Sequence, residues 1–148
     1  MKFNTKTRYG LRTMLEIAVR RNEGGILQKE IAKNQGISVK YLDPIIASLK
    51  ASGLITNAGG RMSGYRLARD PGEISIYDIY KAFERELVIA DCILEKEKGS
   101  HDSYAAARDF WQGLNDTIMK ELQSVKLEDL AKRQQIMNEI KEDPMFYI

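Results

Sequence analysis

The stretch LQKEIAKNQGISVKYLDPIIASLKASGLI, residues 27–55, restricts the fold more than any other part of the chain. A short helix over 28–34 buries Ile31 and Ala32, and Gly36 sits in a tight turn. Ser38 is a good N-cap for a second helix carrying Leu42, Ile45, Ile46 and Leu49. The small Ala32, Gly36 and then Leu42 suit two helices that cross closely through a short turn, the geometry of a helix-turn-helix. Gly53 stops the second helix. Leu54-Ile55-Thr56 and Tyr65-Arg66-Leu67 then read as two short strands around the loop NAGGRMSG. The fold class expected is mainly α with a small β-hairpin wing, a winged helix-turn-helix.

The flanks complete the plan. Residues 5–21 place Leu11, Met14, Leu15, Ala18 and Val19 on one helical face, and Asn22-Glu23-Gly24-Gly25 ends that helix. After the Pro71-Gly72 linker, Ser75 and Asp78 resemble a capping box for a helix whose core face is Ile76, Ile79, Tyr80 and Phe83. Residues 84–101 are less regular. From about Asp102, the apolar stripe Ala107, Phe110, Trp111, Leu114, Ile118, Leu122 and Val125 predicts a helix of ~36 Å. That is too long for the preceding domain to cover, and an exposed stripe of this kind usually meets a second copy of itself. Leu127, Leu130, Ala131, Met137 and Ile140 continue as a further helix. The organisation expected is a DNA-binding domain over 1–83, a sensor or linker segment over 84–101, and a helical dimerisation region over 102–148.

Charge divides along the same line. Residues 1–83 carry 14 Lys and Arg against 7 Asp and Glu, and residues 84–148 carry 9 against 14. A basic first part joined to an acidic second part points to a polyanion-binding module with a separate partner-binding segment, the alternative being chance partition of solvated charge. No apolar run reaches ~18 residues, so no membrane span is expected. The opening MKFNTKTRYGLR has no apolar signal-peptide core, and one cysteine cannot form an internal disulfide. Both favour a reducing cytoplasm.

The second helix of the motif would push Ser38, Val39, Lys40, Tyr41 and Asp43 into a major groove. Lys40 and Tyr41 can reach phosphates or guanine edges, and Asp43 can accept from a cytosine amino group. Gln28, Lys50, and Gly60, Arg61 and Tyr65 of the wing complete the expected DNA face. An arginine on a flexible glycine-rich loop suits a narrow minor groove. The plainer readings are solvated polar positions, a partly buried Tyr41, and glycines that only make the turn. Pro44 removes a mid-helix hydrogen bond, and either re-aims the reading residues or is simply tolerated. With one cysteine, one histidine and no convergent acid–base pair, an enzyme is not expected. A winged-helix adaptor that binds protein is the rival reading.

Three blocks carry a resemblance: MKFNTKTRYGLRTMLEIA, LQKEIAKNQGISVKYLDPIIASLKASGLI and SGYRLARDPGEISIYDIYKAFE. They closely resemble the Rrf-two family of bacterial winged-helix transcription regulators, densely over residues 1 to about 85 and loosely through Trp111 and the long helix. The marks are Arg8 to Arg12, Ile37 to Leu42, Gly53 to Ile55, Gly64 to Leu67, and Ile74 to Ile79. The resemblance implies a homodimer clasped by the long helix, with Phe110, Trp111, Leu114, Ile118, Leu122 and Val125 at the dimer contact. It also implies two winged helices on a palindromic double-stranded operator, most simply as a repressor. Ser38, Lys40, Tyr41 and Asp43 match the groove-reading helix, and Gly60 to Tyr65 match the wing. The family wing often reads R-G-x-x-G-G-Y, whereas here Gly59 stands in the arginine's place and Ser63 replaces a glycine, so Arg61 becomes the substitute minor-groove arginine.

Cluster-binding members carry three cysteines spaced about C-x5-C-x5-C before the long helix. Cys92 matches the first. The others fall on Lys98 and on Tyr104 or Ala105, so neither register yields a ligand set for an iron–sulfur cluster. No cofactor or specific metal is expected. A metal-sensing site that recruits Glu95, Glu97, His101 and Asp102 is the alternative. Cys92 itself reads as a packed small hydrophobe, a redox-sensing thiol, or a relic of a lost site. Members without the cluster sense metabolism through a regulatory protein partner, which is a further partner implied.

Overall fold

The computed structural model describes residues 2–60, 64–94 and 103–142. Helix α1 (Thr5–Val19) lies at the centre. Its N-terminus is closed by Asn4, whose Oδ1 accepts the Thr7 N–H at 2.8 Å. Glu84 returns from far along the chain to accept the Thr7 hydroxyl at 2.7 Å and the Asn4 N–H at 3.1 Å. Gly10 is buried, and a Cβ there would lie 2.2 Å from Phe83 Cε2, so α1 passes this segment at a distance that only glycine permits. Met14, Ile17 and Ala18 are fully buried, while Leu11, Leu15 and Val19 pack half-buried around them. The apolar arc of α1 is wide because two layers cover it: the helix-turn-helix on one side and the last helix on the other.

Helices α2 (Gln28–Gln35) and α3 (Val39–Ala51) meet through Gly36, whose left-handed φ of +68° makes the tight turn. Ile31, Ala32, Leu42, Ile45, Ile46 and Leu49 all enter the core. Strands β1 (Ile55–Asn57) and β2 (Tyr65–Leu67) pair antiparallel, with Ile55 opposite Leu67 and Asn57 opposite Tyr65. The first strand begins one residue later than the sequence predicts. The Leu54 N–H is already engaged in closing α3, donating to the Leu49 carbonyl at 3.0 Å. Ile26 bridges the other edge of β2, exchanging two 2.9 Å hydrogen bonds with Tyr65. Gly64 makes this possible: its φ is +73°, and a Cβ would stand 2.2 Å from the Ile26 carbonyl oxygen.

Helix α4 (Ile76–Lys81) opens with the expected capping box, since Ser75 Oγ accepts the Asp78 N–H and Asp78 accepts the Ser75 N–H, each at 3.0 Å. Burial pushes the Asp78 carboxyl up, but the two Ser75 hydrogen bonds and the neighbouring Arg69 and Lys81 outweigh it, leaving the group below the usual aspartate value. The long helix, α5 (Ala105–Ser124), starts at Ala105 rather than Asp102, after a turn at Ser103 and Tyr104.

The two helices after residue 104 diverge at Val125 and Lys126. Helix α6 (Leu127–Glu142) turns back and lies along α1, placing Leu127 and Ala131 in the same core as Met14 and Ile79. A short bridge holds the turn: the Leu127 N–H donates to the Ile74 carbonyl at 2.8 Å and the Ile76 N–H to Val125 at 3.0 Å. Met137 and Ile140, read from the sequence among the apolar residues of a further helix, stand about half exposed on the outer side of α6. Among the described residues no helix is long and apolar enough to cross a membrane.

Candidate nucleic-acid interface

The motif builds its outer face from the first two turns of α3. Ser38 caps the helix by accepting the Tyr41 N–H at 3.0 Å, which leaves the Ser38 hydroxyl hydrogen free to donate outward. With Leu42, Ile45 and Ile46 locked in the core, the helical period turns Val39, Lys40, Tyr41 and Asp43 to solvent. Val39 is 46% exposed and Tyr41 37%, although the core holds most positions around them. Pro44 sits inside α3 on the exposed side, and the helix runs through it without a break. The proline has no N–H for the Lys40 carbonyl, which lies on the solvent side of the helix, where water can satisfy it.

Gln28, at the first position of α2, ties the face together. Its Nε2 donates to Asp43 Oδ1 at 2.5 Å and to the Val39 carbonyl at 3.2 Å, and its Oε1 accepts from the Tyr65 hydroxyl at 3.4 Å. Three residues that the sequence offers as separate contacts are therefore one polar chain linking α2, α3 and the wing. One oxygen of Asp43 is occupied, so only the other is open to a base edge. Lys50, near the end of α3, places its Nζ 5.7 Å from the centre of the Tyr65 ring. Gly60, Gly64, Gln28 and Tyr65 line a cleft of about 520 Å³ between α2 and the base of the wing. Arg61 and Ser63 lie outside the described residues. Arg66 is exposed on β2.

Two residues beside this face do not emerge from the sequence as contacts. Tyr9 of α1 meets Tyr41 edge to face, with ring centroids 5.8 Å apart, and the Arg12 guanidinium lies 4.7 Å over the Tyr9 ring. The signal is present in the motif from Arg8 to Arg12, but helical periodicity alone does not say that this edge of α1 lies beside the start of α3.

The second exposed feature is the N-terminal half of α5. Phe110 is 63% exposed, Trp111 40% and Leu114 39%, and the first two rings pack edge to face at 5.1 Å. Ile118, Leu122 and Val125 are half-buried, with part of their surface already covered within the chain by α4 and α1. Asn115 is buried and accepts the Ile89 N–H at 3.1 Å, fastening the segment after α4 to the long helix.

Cys92 is half-buried on a short 3-10 turn, Asp91–Ile93, and its carbonyl accepts from Arg108 Nε of α5 at 3.1 Å. Among the described residues no group of three or more His, Cys, Asp or Glu side chains converges to hold a metal. Glu95, Glu97, Lys98, His101 and Asp102 lie outside the described residues. The chain's one thiol and one imidazole do not fit an iron–sulfur cluster, whose iron atoms take four protein ligands, almost always thiolates with occasional histidines.

A helix-turn-helix with a lysine and a tyrosine on the exposed start of its second helix, braced by a hairpin wing, defines a winged-helix DNA-binding transcription regulator. The Rrf2 family model, described as "Iron-dependent Transcriptional regulator", matches residues 3–133. The chain belongs to the Rrf2 family, which comprises transcription regulators rather than enzymes. It is 32% identical to the HTH-type transcriptional regulator CymR of Bacillus subtilis (strain 168) over 148 residues, all of both chains. It is 30% identical to the HTH-type transcriptional regulator IscR of Xenorhabdus nematophila over 138 residues, 93% of this chain and 84% of that one. The solved structure of B. subtilis CymR, described as the global cysteine regulator of that organism, superposes with a TM-score of 0.76 at 32% identity, covering 90% of this chain and 98% of the other.

Proposed function

We propose that the chain works in the cytoplasm as a homodimeric repressor, in which two winged helices read the halves of a palindromic operator and α5 clasps the two copies. The observation that carries this reading is the division of exposed surface. Lys40, Tyr41 and Lys50 form one polar face around α3 and the wing, while Phe110, Trp111 and Leu114 form an apolar face on α5. Ser38, Val39, Lys40, Tyr41 and the open oxygen of Asp43 read the major groove. Gln28, Lys50, Gly60 and Tyr65 hold the backbone, and Arg61 reaches the minor groove. Residues 1–83 carry the DNA contacts, 84–101 with Cys92 form the sensor segment, and within the 102–148 region α5 joins the copies while α6 packs back on the DNA-binding body.

The mechanism is positional. α5 sets the distance between the two reading helices, so a signal acting on it or on the 84–101 segment shifts operator affinity without touching DNA. The donor set supports a mode of sensing that does not use a cluster, with a regulatory protein partner as one source of the signal.

The test is operator binding by fluorescence anisotropy across a salt series, on DNA enriched by binding selection. Affinity falls steeply with salt, and Lys50→Ala, which leaves one phosphate without its ammonium, lowers the slope by about 1. An affinity that hardly changes between low and moderate salt refutes the reading. Lys40→Glu abolishes DNA binding if the face reads DNA and leaves partner capture intact if the winged helix is an adaptor.

A further inference from the structure

A cavity of about 480 Å³ opens between α1, the C-terminal end of α2 and the middle of α6. Its volume lies in the range of small-molecule sites. Leu15 and Val19 give it an apolar floor, while Arg12, Gln35, Gln134 and Asn138 give it polar walls.

The charges in these walls are unequally matched. Arg20 is neutralised by Glu16 at 3.4 Å, Glu23 at 2.9 Å and Glu30 at 3.6 Å. Glu16 also accepts from Asn34 Nδ2 at 3.1 Å and Gln35 Nε2 at 3.0 Å. Arg12 donates to the Gln35 carbonyl at 3.1 Å and covers the Tyr9 ring, but pairs with no carboxylate among the described residues. Gln35 Oε1 is the buried side-chain atom among them that has no hydrogen-bond partner, because the amide nitrogen is held by Glu16. A buried acceptor left unmet keeps its full desolvation penalty, which a donor brought by a ligand would relieve. The wall thus presents a cation without a counter-charge and an acceptor without a donor, on either side of an apolar floor.

We propose that this cavity is an effector site for a small carboxylic acid bearing a hydrogen-bond donor on a neighbouring carbon, an amino or hydroxy acid. The carboxylate sits on Arg12 with the amides of Gln134 and Asn138, the donor faces the edge formed by Glu16 and Gln35, and the carbon skeleton lies over Leu15 and Val19. The inference rests on the reading of α3 and α5 given above. Gln35 ends α2 immediately before the turn into α3, and α6 continues from α5 through Val125 and Lys126. A ligand held by both ties the reading helix to the dimer helix, so occupancy changes the spacing of the two half-site readers.

The experiment uses the full chain in calorimetry with L-serine, L-glutamate, glycerate and malate, and with ethanolamine as the carboxylate-free control. The expected result is saturable binding of at least one acid, none of ethanolamine, and a change in operator affinity of about five-fold or more on occupancy. Whether amino or hydroxy acids bind identifies the source of the carboxylate. Asn138→Asp, which sets a negative charge on the exposed rim, and Gln134→Leu remove acid binding while keeping the melting temperature and the ligand-free affinity for DNA. Binding by none of the acids, equal binding to both variants, or binding with no change in operator affinity overturns the proposal. Failure of the wild type to bind DNA both with and without the acids would instead overturn the regulator reading, which calorimetry does not depend on.

Discussion

Gly64 is where the wing meets the body, and the cost of a methyl group there follows from geometry. Gly64 and Gly53 hold nearly the same backbone conformation, φ +73° and +71°. A Cβ at Gly53 meets nothing within 4 Å, whereas one at Gly64 falls 2.2 Å from the Ile26 carbonyl oxygen and 2.7 Å from the Leu27 nitrogen. Replacement by alanine imposes the same left-handed strain at both, roughly 1–2 kcal/mol. The loss of unfolded-state entropy is also common to both and cancels. Only Gly64→Ala must also push backbone away from backbone, and that breaks the two 2.9 Å hydrogen bonds between Ile26 and Tyr65. At about 0.5–1.5 kcal/mol each, those bonds set the difference between the variants at about 1–3 kcal/mol. Urea unfolding at one fixed protein concentration measures it, since the proposed dimer would make apparent stability depend on concentration. The displaced wing also carries Tyr65 away from Gln28 and Lys50, so operator affinity falls for Gly64→Ala and much less for Gly53→Ala. Equal destabilisation, within ~0.5 kcal/mol on a scale where the two bonds alone are worth more, would show that the close approach is relieved at little cost and would refute the reasoning.

Three further outcomes are expected. Leu127→Ala, at a fully buried position on α6, destabilises the fold by about 2–5 kcal/mol in the same urea assay, and a loss below ~1 kcal/mol would mean α6 is not part of the core. Because the folded-state Asp78 carboxyl titrates below its ordinary value, its contribution is fully present above about pH 4 and is lost as pH falls through the lower folded value. Asp78→Asn therefore narrows the stability gap to wild type on acidification, whereas a gap that widens below about pH 4 contradicts the sign. Anaerobically purified protein is colourless, and Cys92→Ser binds DNA as the wild type does. Brown material with visible absorbance that Cys92→Ser removes would restore a cluster.

Much of this is legible in the sequence because it is local. Ser38 and Ser75 cap their helices where side-chain chemistry places a cap, and Gly36 turns where a left-handed residue is needed. The buried face of α3 follows from helical period alone. Long-range contact is not legible. The periodicity of α1 reads Leu11, Met14, Leu15, Ala18 and Val19 as its face, but it does not show that Ile17 is fully buried as well, or that α6 arrives from more than a hundred residues away to lie along the same helix. Gln28, Asp43 and Tyr65 are separate contacts in the sequence, and the fold joins them into one hydrogen-bonded chain.

The sequence by itself determined the helix-turn-helix, the wing and the caps at Ser38 and Ser75, since each depends on residue type and spacing within a few turns of chain. It also limited the metal chemistry, because one cysteine cannot be multiplied by folding. Only the tertiary structure decided that α6 belongs to the DNA-binding body while the Phe110, Trp111 and Leu114 face of α5 stays exposed. Both helices carry apolar residues in similar measure. Which of them finds a partner within the chain depends on the turn at Val125 and Lys126, where backbone hydrogen bonds to Ile74 and Ile76 send α6 back onto α1.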